Sequence, residues 1–469
     1  MKKKYLNLIT RPYWFLLRFI LTVATIIGLF GPANATDLMD IYKQALENDP
    51  TFKAAYSSFK SKAESIPQAY AALLPQLNLN AQGVKSSLFA DVPGQDGLNG
   101  QQSYSSTIWV IKASQSIFNY QSWSRVQQAK ASVRAAHAEF NNAAQELLLR
   151  TAKAYFDLLM AKDTLNFAEA KKRANKRQLE QAEQRFKVGI DTITSVYEAK
   201  AAYDQSVSEV ISAENNQINQ GENLRKLTNH TYDYVAPLRD GQIPLIKPEP
   251  SVVEEWIATG IKQNYKLFAA KYGLQAAREN MKVQASGGWP TLSLQGNNTG
   301  INNYGNSSSN FFIPNQQKTT SIALALDFPV FQGGLVEANT KKAQYDYQTS
   351  SEDLEKTYRE VVVNSHIAFN TIIDGISKVK ADRQTIISRK NSLESTEAQY
   401  NAGTRTMVDV TNAQERLFEG QEQLAHDQYN LVNAILYLKY LAGSLNVNDF
   451  QEINAWLATK RINQFSPQS

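Results

Sequence analysis

The sequence predicts a mixed α/β membrane chain made by internal duplication, in which each of two strand pairs leads into a very long helix and a returning one. Three observations predict it. Matching segments recur in the same order at an offset of roughly 214 residues. Four segments alternate apolar and polar residues with a period of two, as strands do. Residues 121–187 and 335–401 contain no proline and, between them, a single glycine, Gly375, so nothing in either run breaks a helix.

Composition narrows the function before any motif is read. The chain has 469 residues, is 20% charged and has a mean hydropathy of −0.40. That value excludes a bundle of membrane-spanning helices, each of which needs about 20 apolar residues. It does not exclude a barrel, whose alternating strands average to middling hydropathy. With no cysteine, disulfides, thiol nucleophiles, Cys-ligated metals and lipid attachment through an N-terminal cysteine are all removed. His137, His230, His366 and His426 are scattered without metal-ligand spacing. No nucleophile–base pair or phosphate loop is visible, so neither an enzyme nor a cofactor is expected.

The N-terminus reads as an export signal. Residues 1–35 hold Lys2, Lys3, Lys4, Arg11 and Arg18 and no acid, then an apolar stretch from Phe19 to Phe30, then Ala33-Asn34-Ala35. A basic start, a short apolar middle and small residues before a cut read as a secretory signal peptide, with an N-terminal membrane anchor as the alternative. Without those five charges, the 49 basic residues fall to 44, equal to the 44 acidic ones. The net charge of +5 belongs to the signal, and a nucleic-acid role loses its support.

The duplication places the first structural repeat at 36–246 and the second at 247–460, with a short tail at 461–469. Leu74-Pro75-Gln76-Leu77 recurs as Trp289-Pro290-Thr291-Leu292, and Phe186-Lys187-Val188-Gly189 as Tyr400-Asn401-Ala402-Gly403. The strands are clearest at Gln76–Ala81 and Ile322–Phe328 and less clean around Trp109, Ile111 and Ala113. Each is expected to run about 10 to 12 residues. Gly/Asn/Ser-rich loops, at roughly 90–103 and 302–317, separate the members of each pair. Four strands cannot close a membrane barrel, whose smallest examples need about eight. A soluble half-buried sheet shares this pattern, but export and alternation together favour a barrel shared between subunits, with three chains giving twelve strands.

The two long runs would span about 100 Å each at 1.5 Å per residue. Leu147, Ala154, Leu158, Ala161 and Leu165 keep heptad-like spacing among charged and amide residues. A solvated coiled-coil spacer shares this feature but not the strands. Each run ends in a glycine turn, at Gly189 and Gly403, where glycine supplies the left-handed conformation that stops a helix. Thr192 and Thr406 are positioned to cap returning helices over about 193–228 and 407–442. The hairpin turns, Val188 and Gly189 in one and Ala402, Gly403 and Thr404 in the other, are natural places for a gate or a docking surface.

Taken together, Arg185-Phe186-Lys187-Val188-Gly189 with Ile193-Thr194, Gln115-Ser116-Ile117-Phe118, Val330-Phe331-Gln332-Gly333-Gly334, and Ala402-Gly403-Thr404-Arg405-Thr406-Met407-Val408-Asp409-Val410 carry a resemblance. The sequence resembles the TolC family of outer-membrane efflux proteins over about 37–457. The resemblance implies a homotrimer in which a long α-helical barrel, forming a periplasmic tunnel, is continuous with a 12-stranded transmembrane β-barrel built from four strands per chain. It implies a passive exit duct in outer-membrane lipid, serving drug efflux, type I protein secretion or both. The implied partners are a periplasmic adaptor (membrane fusion) protein and an inner-membrane transporter of RND, ABC or MFS type. An exported helical structural or adaptor protein that forms no pore is the alternative.

Carried over residue by residue, the family's periplasmic gate falls on Thr194, Tyr400 and Arg405, and its acidic pore ring on Asp409. Two positions depart. Ser195 stands where the family has an aspartate pairing with the arginine, and Asn412 where it has a second ring aspartate. The repeat alignment offers replacements, since Asp191 aligns with Arg405 and Glu198 with Asn412. Asp191 is a candidate to pair with Arg405, and Glu198 to restore the second ring; the alternative is that both are solvated helix-start acids favoured by the helix dipole. Such rings attract cations and bind multivalent ones.

Overall fold

The computed structural model describes residues 36–90, 100–232, 234–304 and 316–458. The expected signal peptide and C-terminal tail, and the centres of both expected strand–strand loops, lie outside the described residues. In chain order come α1 (Leu38–Asn48), α2 (Pro50–Ala63), α3 (Ser65–Ala71), β1 (Gln76–Ala90), β2 (Gly100–Phe118), α4 (Tyr120–Lys187) and α5 (Ile193–Thr228). There follow α6 (Val253–Gln263), α7 (Tyr265–Ala285), β3 (Thr291–Tyr304), β4 (Gln316–Asp327), α8 (Leu335–Asn401), α9 (Met407–Leu441) and α10 (Val447–Asn454). Helices α4 and α8 hold 68 and 67 residues, so the two uninterrupted runs are each one helix. No described helix is long and apolar enough to cross a membrane.

The chain divides into two compact units, one comprising residues 53–144 and 257–364, the other the remainder. The first carries a single antiparallel sheet in the order β1-β2-β3-β4. Register puts Leu77, Ala113, Gly296 and Ile322 in one row across it and Asn78, Lys112, Asn297 and Ser321 in the next. One face is therefore apolar and the other carries amides, hydroxyls and a lysine. The apolar face is exposed in the single chain: Leu77, Leu79, Ile322, Leu324 and Leu326 are all largely uncovered. On it, Trp109 lies over Gly300, where a Cβ would overlap the indole.

Strand β4 has the expected length at 12 residues, whereas β1, β2 and β3 exceed it at 15, 19 and 14. Gly100 pairs with Ala90 and Asn302 with Gln316, inside segments expected to be loop. The reason is that ladder bonds join backbones and ignore side-chain polarity. Alternation marks only the apolar belt of a strand and misses its polar ends.

The second unit is helical. Its core gathers Leu38 and Ile41 of α1, Leu147, Tyr155, Phe156 and Leu159 of α4, Leu431, Leu436 and Leu438 of α9, and Phe450 of α10. Each such side chain contributes about 1.5–3 kcal/mol on burial. Several polar groups are paired here: the Tyr155 hydroxyl donates to the Ala236 carbonyl at 2.6 Å, and Arg150 donates to buried Asp49 at 2.8 Å. Of the heptad positions, Leu147, Leu158 and Ala161 are buried, while Ala154 and Leu165 are half-buried.

Candidate functional site

The two interhelical turns of the second unit share one local geometry. At the end of α4, the Gly189 N–H donates to the Phe186 carbonyl and the Ile190 N–H to Arg185, at 3.0 and 2.9 Å. At the end of α8, Gly403 donates to Tyr400 and Thr404 to Gln399, both at 2.9 Å. These are paired Schellman closures, with φ near +77° at Gly189 and +78° at Gly403. Thr192 then caps α5, and Thr406 caps α9 in a reciprocal box with Asp409.

Asp191 is the centre of the first turn. It accepts from the Tyr400 hydroxyl at 2.8 Å, the Ser195 hydroxyl at 2.7 Å and the Thr192 N–H at 2.9 Å. Arg185 Nε lies 3.5 Å away as an ion pair, and its guanidinium stacks over the Tyr400 ring at 4.7 Å. Burial alone would raise the Asp191 carboxyl, but the Ser195, Tyr400 and Thr192 hydrogen bonds and the Arg185 charge hold it below its ordinary value. Tyr400 is pushed up to about 12, first by burial and then by the carboxylate it donates to. This bond ties the first hairpin to α8, beside a longer one from Gln181 to Asn401 at 3.4 Å. Beneath it, Tyr400, Met407 and Val410 pack with Ala182 and Ala199.

The candidate pairing of Asp191 with Arg405 is not formed within the described chain. Arg405 donates through Nε to Gln399 at 3.1 Å and pairs with Asp409 at 3.6 Å. The reason lies in the offset itself. Asp191 bonds to residues 185 and 195, and Arg405 to their counterparts 399 and 409, so each turn residue finds partners in its own hairpin, and the bond that Asp191 makes across to the second hairpin comes from Tyr400 rather than Arg405. Chain-equivalent positions of opposite charge occupy equivalent local niches and need not meet.

The other sequence-predicted residues are placed as follows. Thr194 is exposed and outside the Asp191 cluster; Glu198 is exposed on α5. Asp409 is held below its ordinary value chiefly by Thr406, whose N–H and hydroxyl it accepts. Val188, Gly189, Ala402, Gly403 and Thr404 are all exposed at the turns. Arg185 was missed as a site residue. Its signal is a charge six positions before an acid across a helix-ending glycine, spacing that a Schellman turn brings together.

The profile of the outer membrane efflux protein family matches residues 41–230 and again 256–444. The chain belongs to the outer membrane efflux protein family. Among curated relatives, Outer membrane protein TolC of Vibrio cholerae is 34% identical over 445 residues, covering 93% of this chain and 98% of that one. Alkaline protease secretion protein AprF of Pseudomonas aeruginosa is 27% identical, covering 90% and 88%. Among solved structures, the Campylobacter jejuni CmeC outer membrane channel superposes with a TM-score of 0.75 at 17% identity, covering 97% of this chain and 94% of that one. That likeness establishes the fold: this family member has long paired helices and four strands per chain, as such channels do. The family is one of channels rather than of enzymes.

Proposed function

We propose that three copies of this chain form an outer-membrane exit duct that passes drugs, secreted polypeptides or both out of the cell, without catalysing a reaction. The carrying observation is the sheet. Its apolar face is exposed and β1 and β4 are its edges, so it is complete only when strands of other copies close it and lipid covers it. Relatives named for efflux and for protease secretion supply the cargo classes. The duct works with a periplasmic adaptor and an inner-membrane transporter of RND, ABC or MFS type, and the exposed turns at Val188–Gly189 and Ala402–Thr404 are its docking points. The two repeats, 36–246 and 247–460, are one ancestral unit used twice, a reading supported by the double match of the family profile.

The gate lies where the hairpins meet. Tyr400 and Asp191 latch the second hairpin to the first, with Arg185 and Ser195 fixing the carboxylate, while Asp409 and Glu198 supply acidic rings and Arg405 and Thr194 line the constriction. Asp191 thereby restores, one helical turn earlier, the carboxylate that Ser195 lacks. Outer-membrane fractions are expected to yield a heat-dissociable trimer with cation-selective conductance that trivalent cations block from the periplasmic side. A monomer extractable without detergent would overturn the duct; indifference to trivalent cations would take Asp409 and Glu198 out of the lumen.

A further inference from the structure

The latch joins the first hairpin to α8, and the seam between the first hairpin and α9 has a polar tie of its own. Lys171 of α4 stands 14 residues before Arg185, about 21 Å along the helix. Its Nζ lies 2.9 Å from Glu209 of α5 and 3.0 Å from Glu415 of α9. The lysine is only 14% exposed, whereas Glu415 is 43% exposed. Between this tie and the turn runs a layer of buried amides: Gln178 donates to Gln414, Gln414 to Asn175 at 3.4 Å, and Asn175 to the Ala202 carbonyl at 3.0 Å.

We propose that Lys171 is a second restraint on opening, released through its Glu415 arm while its Glu209 arm stays closed. This rests on the gate reading above. Withdrawing α9 from the first hairpin must part Lys171 from Glu415, but Glu209 belongs to the same hairpin as Lys171 and moves with it. The ammonium therefore keeps one carboxylate when the seam opens, and is never stranded in a half-buried site without a counter-charge. Glu415, already partly solvated, is the partner that water can take over. The amides above it exchange one neutral partner for another at small net cost. A seam of this kind can open and reclose without leaving a buried charge unpaired. The two carboxylates thus have different jobs: Glu415 restrains and Glu209 neutralises.

The test is single-channel conductance of full-length trimers in planar bilayers, with vancomycin sensitivity of cells as the second readout. Glu415→Gln is expected to raise open probability about two- to five-fold, and to multiply the effect of Tyr400→Phe. Glu209→Gln, which leaves the Glu415 arm intact, is expected to stay near wild type, and Lys171→Arg to retain closure. The charge swap Lys171→Glu with Glu415→Lys is expected to reclose what Glu415→Gln opens. Trimer melting in detergent excludes general damage, since a structural role would shift all the variants together. If Tyr400→Phe opens the channel and Glu415→Gln does not, or Glu209→Gln opens it equally, this inference fails and the gate stands. If neither Tyr400→Phe nor Asp191→Asn opens it, the gate reading fails with it.

Discussion

Helices α4 and α9 run side by side through two stretches that differ in almost every respect. Between residues 147 and 161, α4 buries Leu147, Leu148, Ala152, Tyr155, Phe156, Leu158, Leu159 and Ala161, a stripe too broad for one seam. It meets Tyr429, Leu431, Val432, Leu436 and Leu438 of α9 in the main core. Between 171 and 182, α4 buries only Asn175, Gln178 and Ala182, a narrow line at heptad spacing that meets Met407, Val410 and Gln414. The deep stretch is held by apolar area, which is lost only by exposing it to water. The distal stretch has only the small apolar patch of Ala182, Met407 and Val410, and the rest of its contacts are hydrogen bonds and ion pairs, which water replaces at little net cost. A helix pair stable at one end and separable at the other is what a gate requires.

The contrast is sharpest for stability. Leu436→Ala removes a side chain 1% exposed in the main core and is expected to cost about 2–5 kcal/mol, read as a lower melting temperature of the purified trimer with conductance unchanged. Tyr429→Phe comes next. Its hydroxyl donates to Asp163 at 2.6 Å, and burial already raises the Asp163 carboxyl against that bond. Leaving the acid unpaired is expected to cost about 1–3 kcal/mol. A conductance change without a melting change in either variant would place the hinge deeper than the Lys171 tie.

The same contrast explains what could be read without coordinates. The long helices, their glycine stops and the threonine caps are local decisions, and residues 120–187 and 335–401 announce them by what they omit. The apolar belt of the sheet is equally local. The polar ends of β1 and β2 are not, because strand pairing there depends on a partner's backbone and leaves no mark on side-chain pattern. At the turns, the residues forming the site were legible but their pairing was not. Equal offset identifies Asp191 with Arg405; only the fold shows that Arg185 and Ser195 reach Asp191 first. Lys171 escaped notice because a lysine among Ala, Glu and Arg on a long helix looks like any solvated position.

In the distal stretch, function is expected to change more than stability. Tyr400→Phe removes the hydroxyl bond to Asp191 but keeps the ring packed with Met407 and Val410, so conductance is expected to rise with little change in melting. Its pH dependence follows from the two pKa directions. Asp191 is held below its ordinary value, so its contribution is complete above the ordinary carboxylate range and is lost as pH falls through the lowered value. Tyr400 is raised to about 12, so its contribution is complete below its ordinary value and is lost as pH rises through the raised one. The latch is therefore expected to be indifferent to pH between about 5 and 9. A conductance step inside that window that Tyr400→Phe removes would overturn this reading of the latch.

The smallest effect is expected at the most conspicuous charge. Arg405 is 54% exposed, and both its partners, Gln399 and Asp409, belong to its own hairpin. An exposed pair of this kind is screened by salt and contributes little. Arg405→Ala is accordingly expected to leave trimer melting unshifted and to open the channel less than Tyr400→Phe does. Asp191→Asn discriminates further, because it weakens bonds to Tyr400 and Ser195 and cancels the Arg185 pair without touching Arg405. If Arg405→Ala opens the channel as far as Tyr400→Phe, and salt suppresses the difference, Arg405 reaches across to an adjacent copy in the trimer. The second hairpin would then be restrained on both flanks, by Asp191 within the chain and by Arg405 between chains.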